Sequence, residues 1–441
     1  MKRFWKGVII GLIIVSPFWF WGCLKAFGAT YHIAASGADA TTYTNLITAI
    51  NHLVPGDNVY FNRGETFSEQ VVIATSGTSG NVITLGAYGS GALPIITNGA
   101  GTGILSTDKE YLTIENLHIK DCGGDGIDLM TTAPVAAWGD LLAHHMTVDS
   151  CTVTGSVGNG VFISGHYATI KNCTLTDNGD NSSHHNIYLK GSNALVEDNI
   201  CSDSAQGIGL KYMGADSTFQ RNWIENNHFH GISYSNDHVD TFSGNICRYN
   251  VIICTDFNDT PVGDPAGINI YSSAAGNFTG INIYNNTIYG YDDETANQIS
   301  GILSWEGGAA TSCTNLVIKN NIIWASDYAI GIVGTPAGFA SDYNQFYDFT
   351  SFYYDAGAVN WATWSGTYDT NGASGDPLFT DVASGDFTLR SDSPCIEKGT
   401  NVGIKQDFYG THIPQGLEPD IGAIEYIVKQ DPTEYSSGFG F

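Results

Sequence analysis

Two lysines, a cluster of histidines and a few tyrosines are the residues of this chain best suited to proton transfer. Lys190 and Lys211 each close a short apolar-alternating segment, NIYLK and GIGLK. After the first 29 residues the sequence contains only nine lysines, so two at matched positions of neighbouring segments are conspicuous. Like charges held close together disfavour full protonation, and a neutral lysine is a usable general base. His184 and His185 precede the first of these segments, His228 and His230 lie at a further segment, GISYS, two units on from it, and nine of the twelve histidines fall between His118 and His238. With Tyr188 and Arg221 nearby, the set could abstract a proton, neutralise a carboxylate and protonate a departing oxygen. Lys190 and Lys211 are the candidate bases, with His185, His230 and Tyr188 as candidate acids or carboxylate binders.

A repeat positions these residues. Between Tyr111 and Val333 the chain reads YLTIENLHI, HMTVDSCTV, YATIKNCTL, ALVEDNICS, STFQRNWIE, DTFSGNICR, GINIYNNTI and NLVIKNNII. An apolar column (Ile114, Val148, Ile170, Val196, Phe219, Phe242, Ile283, Ile318) is followed three residues later by Leu117, Cys151, Cys173, Asn199, Asn222, Asn245, Asn286 and Asn321. Steps of 34, 22, 26, 23, 23, 41 and 35 residues describe a unit of roughly 22 with insertions. That unit is too short for paired helices, and its β-branched, aromatic and Asn-rich composition predicts strands. Stacked in parallel, the copies would share one core, with the recurrent Asn forming an amide ladder at one turn.

These copies resemble the right-handed parallel β-helix superfamily that includes pectate lyase-like enzymes. The resemblance implies an all-β solenoid over about three quarters of the chain, and leaves the activity open.

Each unit carries a second segment: GIDLM, GVFIS, NIYLK, GIGLK, GISYS, GINIY, GILSW. With Ile127, Val161, Ile187, Ile208, Ile232, Ile268 and Ile302 in register, alternation turns the intervening residues outward. Lys190 and Lys211 then share one outward position on adjacent rungs. Phe162, Tyr188, Asn269, Tyr271 and Trp305 face the same way, and Tyr234 faces the core or this patch.

The formal charge of −27 argues against nucleic acid or an anionic membrane as partner. A basic patch on so acidic a chain suits an acidic polysaccharide, with Arg221, His184, His228, Asn269, Tyr271, Phe162 and Trp305 as candidate binding residues. The reaction expected is β-elimination from a uronate. Resembling lyases often use Ca²⁺ held by Asp, and Asp177, Asp180, Asp198 and Asp203 are the available candidates. Hydrolysis would instead need converging carboxylates; Asp125 and Asp128 are offered, but the Asp-Asp, Gly-His-Gly and Arg-x-Lys pattern of β-helix polygalacturonases is absent, as is the Asp-Pro-His of alginate epimerases. A third possibility is a non-catalytic glycan-binding or cell-surface solenoid, its exposed aromatics stacking on sugar rings.

Residues 1–29 read as a secretory signal: Lys2, Arg3 and Lys6 precede the apolar run Val8–Phe20, with small residues near Ala29. Its removal would leave a charge of −31, and Phe20 argues against a lipid anchor at Cys23. The remaining eight cysteines fall mostly at ladder or core positions, predicting free buried thiols. Residues 30–66 resemble an N-terminal cap, with Leu46, Ile47, Ile50 and Leu53 at helical spacing before Pro55-Gly56-Asp57. The β-helix proper is expected over 67–333. Residues 334–426, with DPLF, GDFTL, SPCI and PDIGAIE, resemble the closing segment of secreted bacterial β-helix proteins, and 427–441 are expected to be a flexible tail.

Overall fold

The computed structural model describes residues 28–35, 42–43, 50, 52–132, 142–237, 240–254, 264–272, 276–291, 299–306, 313–355 and 357–427. Each rung is built from three short strands that hydrogen-bond in parallel to their counterparts above and below. In one middle rung these are Thr169–Lys171, Thr174–Thr176 and Ile187–Lys190. First-face strands make a 13-stranded sheet, while the second and third faces run together into a 22-stranded one. Inward residues of all three faces fill one continuous core, with Ile170, Leu175 and Ile187 fully buried. The protein is thus an all-β parallel β-helix.

The predicted Asn ladder lies at the corner between the first and second faces. The amide oxygen of Asn222 accepts the backbone N–H of Asn199, and Asn250, Asn286, Asn321 and Asn344 repeat the bond at 2.9–3.1 Å. Each amide also donates to a carbonyl on a neighbouring rung, as Asn222 does to Val196 at 3.0 Å. Buried main-chain groups are thereby satisfied where the chain leaves the strand ladder. Cys173 holds the place of an Asn, its sulfur accepting from the Cys151 N–H at 3.5 Å. The residue before each ladder position is left-handed, including Asn172, Asp198, Arg221, Tyr249, Asn285 and Asn320, with φ between 51° and 59°.

One repeat is displaced relative to its expected alignment. Cys247, not Phe242, pairs with Phe219 in the first face, so Asn250, not Asn245, continues the ladder. Phe242 belongs to a small extra sheet of Thr241–Ser243, Asn277–Thr279 and Cys313–Thr314, and Asn245 serves a different corner, accepting from Ser217. Both NIC and the following RYN fit the spacing of the pattern, and three-dimensional pairing selects between them.

The end of the chain does two jobs. The segment after Gln345–Asp355 closes the core with a short helix, Trp361–Ser365, whose buried Trp364 stacks on Phe352 at 4.4 Å and donates to Asp369 at 2.7 Å. The segment bearing DPLF, GDFTL and PDIGAIE does not cap that end. It folds back along the second face, where Phe379, Phe387, Leu389 and Ile421 pack against Val251, Ile253 and Ile322. Those second-face strands are apolar on both sides and need that cover.

Cys122, Cys151, Cys173, Cys201, Cys247, Cys254, Cys313 and Cys395 are buried thiols outside any disulfide. Of the predicted N-terminal helix, Ile50 and Leu53 are buried while Leu46 and Ile47 lie outside the described residues. The same holds for most of the expected signal segment and nearly all of the expected tail. Among the described residues no helix is long and apolar enough to cross a membrane.

Candidate functional site

The third face carries two outward columns of side chains. One runs Asp128, Phe162, Tyr188, Lys211, Ser233, Asn269, Leu303. The other, two residues further along each strand, runs Met130, Ser164, Lys190, Met213, Ser235, Tyr271, Trp305. Lys190 and Lys211 are therefore not stacked in one column, as the sequence alignment predicted. Ile187 pairs with Leu210 rather than Ile208, which moves Lys211 onto Tyr188 and sets Met213 beside Lys190. The cause is a column of glycines at the entry to the strand. A Cβ on Gly209 would sit 2.8 Å from the Gly231 carbonyl oxygen and 2.7 Å from the Asn227 amide. That column admits the second glycine of GIGLK, and the strand starts two residues later than alternation alone suggests.

The slip gathers the lysines around one ring. The Lys190 Nζ lies 4.8 Å from the centre of Tyr188 and the Lys211 Nζ 5.1 Å from it, with Phe162 5.2 Å from Tyr188 on the preceding rung. Partial burial lowers both ammonium pKa values, and for Lys211 the neighbouring Lys190 charge adds to the effect while Asp237 opposes it. Tyr188 is held firmly as the neutral phenol by burial and donates to the Met213 sulfur at 3.0 Å.

Lys211 stands at one end of a cleft of about 560 Å³ that extends over the next three rungs. Its floor is Ser233, Ser235, Asn269, Tyr271, Leu303 and Trp305, and its wall includes His228, Phe229, His230 and Asp264. Tyr271 and Trp305 lie 5.2 Å apart, and Trp305 is 44% exposed. Asn269 donates to Ser233 at 3.0 Å, and Ser233 and Ser235 hydroxyls lie 3.2 Å apart, a hydrogen-bonding strip along the middle of the floor.

The histidines have other work. His185 and His230 are buried, and each Nδ1 accepts a backbone N–H from the next rung, from Ile208 at 3.2 Å and from Ala266 at 3.0 Å. These bonds place the remaining proton on Nε2. Burial lowers both ring pKa values, that of His230 to about 3, so neither is an imidazolium that could act as a general acid. His185 is a corner residue whose Nε2 has no partner. His230 borders the cleft, where a neutral N–H can still donate a hydrogen bond. His184 is tied to Asp180 at 3.0 Å in the loop before the third face.

Arg221 is not part of the patch. It occupies the corner between the first and second faces and is bound to Glu197 at 2.6 Å and Asp198 at 2.8 Å. The four Asp proposed as calcium ligands do not converge either. Asp177, Asp198 and Asp203 are left-handed turn residues, with φ of 55°, 59° and 51°, a conformation short polar side chains tolerate well. Among the described residues no group of three or more His, Cys, Asp or Glu is arranged to hold a metal ion.

Sequence reasoning did not rank Asp128 highly. It lies at the other end of the same column, 8% exposed, with one carboxylate oxygen buried and unpartnered. Burial, reinforced by Asp125, raises its pKa to about 7. Asp125 itself is occupied by the Asn159 N–H and amide. The cleft walls Asp264 and Phe229 were also missed, because they come from loops with no repeat pattern.

The fold is that of a right-handed parallel β-helix. A family model described as "Right handed beta helix region" matches residues 141–350. The structure is similar to that of pectate lyase Pel9A, with a TM-score of 0.58 and 16% identity, covering 91% of this chain and 97% of that one. It is also similar to XylC in complex with xylose, with a TM-score of 0.56 and 10% identity over 90% and 98% of the two chains. At these identities the likeness is one of fold. No curated protein matches the chain in sequence.

Proposed function

We propose that this is a secreted polysaccharide-processing protein that cleaves an acidic glycan by β-elimination on its third face. The observation that carries the reading is Lys211, desolvated beside a second lysine at the mouth of a cleft long enough for several sugars. A lysine whose pKa is lowered by burial has a larger neutral fraction than an exposed one and can take a proton α to a uronate carboxylate. Lys190, as the ammonium, offsets the carboxylate charge. The C–H electron pair becomes the C4–C5 double bond as the C4–O bond breaks, and water in the open cleft protonates the departing oxygen. His230 Nε2–H and Asn269 are the hydrogen-bond donors available to hold the sugar. The names of the two structural neighbours, a pectate lyase and a xylose complex, agree with a carbohydrate ligand.

Glycan binding without cleavage is the second reading, favoured by the paired Tyr271 and Trp305 rings. The test is the absorbance of unsaturated uronates released from acidic polysaccharides by the purified protein. Product that disappears in Lys211→Ala supports elimination. Retention of the polymer with no absorbance change supports binding alone.

A further inference from the structure

The cleft is electrostatically lopsided. Lys211 lines one end of it, and Lys190 lies just beyond that end, over the same Tyr188 ring. Beyond Lys211 the two outward columns offer Ser233, Asn269 and Leu303, and Ser235, Tyr271 and Trp305, none of them basic. Beside His228 and the neutral His230, loops bring no lysine or arginine, because from Asn222 to Ile318 the sequence holds only one such residue, Arg248. Arg248 lies on the first face, bound to Gln220 at 2.8 Å. The same stretch contains ten Asp and Glu residues, of which Asp264 borders the cleft and has a carboxyl pKa raised by burial.

From the rung of Lys211 to that of Trp305 is three strand spacings, roughly 14 Å, room for a polysaccharide to advance by about two or three sugars. A polymer with a carboxylate on every sugar would set unpaired negative charge against Asp264 and against a floor with no cation. The far end instead presents aromatic faces and neutral hydrogen-bonding groups, which suit the C–H face and hydroxyls of a neutral ring.

We propose that the cleft takes an acidic polysaccharide whose uronates are separated by neutral sugars, with a uronate at Lys190 and Lys211 and a neutral ring on Tyr271 and Trp305. This deepens the glycan reading above and rests on it. The test is binding by affinity electrophoresis, run beside the absorbance assay, with polygalacturonate as the all-uronate probe and hyaluronan as the alternating one. Wild-type protein is expected to bind the alternating polymer at least tenfold more tightly. Asp264→Asn narrows that gap; Trp305→Ala lowers affinity for the alternating polymer tenfold, and Trp305→Tyr restores most of it. Equal or tighter binding of polygalacturonate, unchanged by Asp264→Asn, overturns the inference while leaving elimination intact. Tight binding of the alternating polymer without unsaturated product leaves the inference standing and removes the lyase reading. Retention of neither polymer overturns both.

Discussion

Lys211 lies in register on Tyr188, one rung above it, with its Nζ 5.1 Å from the ring centre. The pairing puts the lysine where it loses water on one side and feels the charge of Lys190 on the other. If Lys211 is the base, elimination should rise with pH along a limb set below the ordinary lysine pKa of 10.5. Lys190→Met removes a like charge and is expected to shift that limb to higher pH. Asp237→Asn removes an opposing charge and is expected to shift it lower. A pH profile of kcat/KM for the three proteins checks the assignment; a limb that ignores both changes would place the base elsewhere.

His230 accepts the Ala266 N–H through its Nδ1 at 3.0 Å, a bond that ties two rungs together. His230→Asn keeps an acceptor at the position of Nδ1 and is expected to retain stability close to wild type. His230→Ala leaves a buried N–H unpaired and is expected to cost about 1–3 kcal/mol. Urea titrations of the two variants separate this from a purely apolar packing role, in which Asn would be as damaging as Ala.

The ladder has a weak link at Cys173, whose sulfur accepts from the Cys151 N–H at 3.5 Å, where Asn199 one rung on accepts from the Cys173 N–H at 2.9 Å. Cys173→Asn supplies an amide that can also reach the Val148 carbonyl, now 3.7 Å from the sulfur. It is expected to stabilise the protein by about 1 kcal/mol, whereas Asn222→Ala should destabilise by about 1–3 kcal/mol. Chemical denaturation reads both.

Asp128 couples stability to pH. Its folded-state pKa, about 7, lies above the ordinary 3.8, so the folded chain binds a proton that the unfolded chain has released. The contribution is fully present below about pH 4 and is lost as pH rises through 7. Asp128→Asn removes the penalty of burying the charge, so its melting temperature should exceed that of wild type by about 2 °C or more at pH 8. The two should converge near pH 4. Equal melting temperatures at pH 8 would mean the carboxylate is solvated.

The repeat, and with it the stacked parallel strands, is legible in the sequence because burial has a short period. An inward residue every second position and an Asn at each tight corner follow from local chemistry that any rung must satisfy. Ile170, Val196 and Asn199 could be placed that way, as could the outward direction of Tyr188, Lys190, Tyr271 and Trp305. The buried thiols follow from the same columns.

Contacts between rungs decided the rest. Whether GIGLK enters its strand at Gly207 or Gly209 depends on the space beside Gly231 and Asn227, which no single segment encodes. That choice moved Lys211 by two residues and made the two lysines flank Tyr188 instead of stacking on one another. Exposure of His185 and His230 was unreadable for a similar reason, since their acceptors' partners, Ile208 and Ala266, lie on the next rung. The second-face cover by Phe379 and Phe387 joins residues 55 to 164 positions apart, from Trp324–Phe379 to Trp223–Phe387. Local alternation sets which way a side chain points; only the stacking of rungs sets which side chains meet.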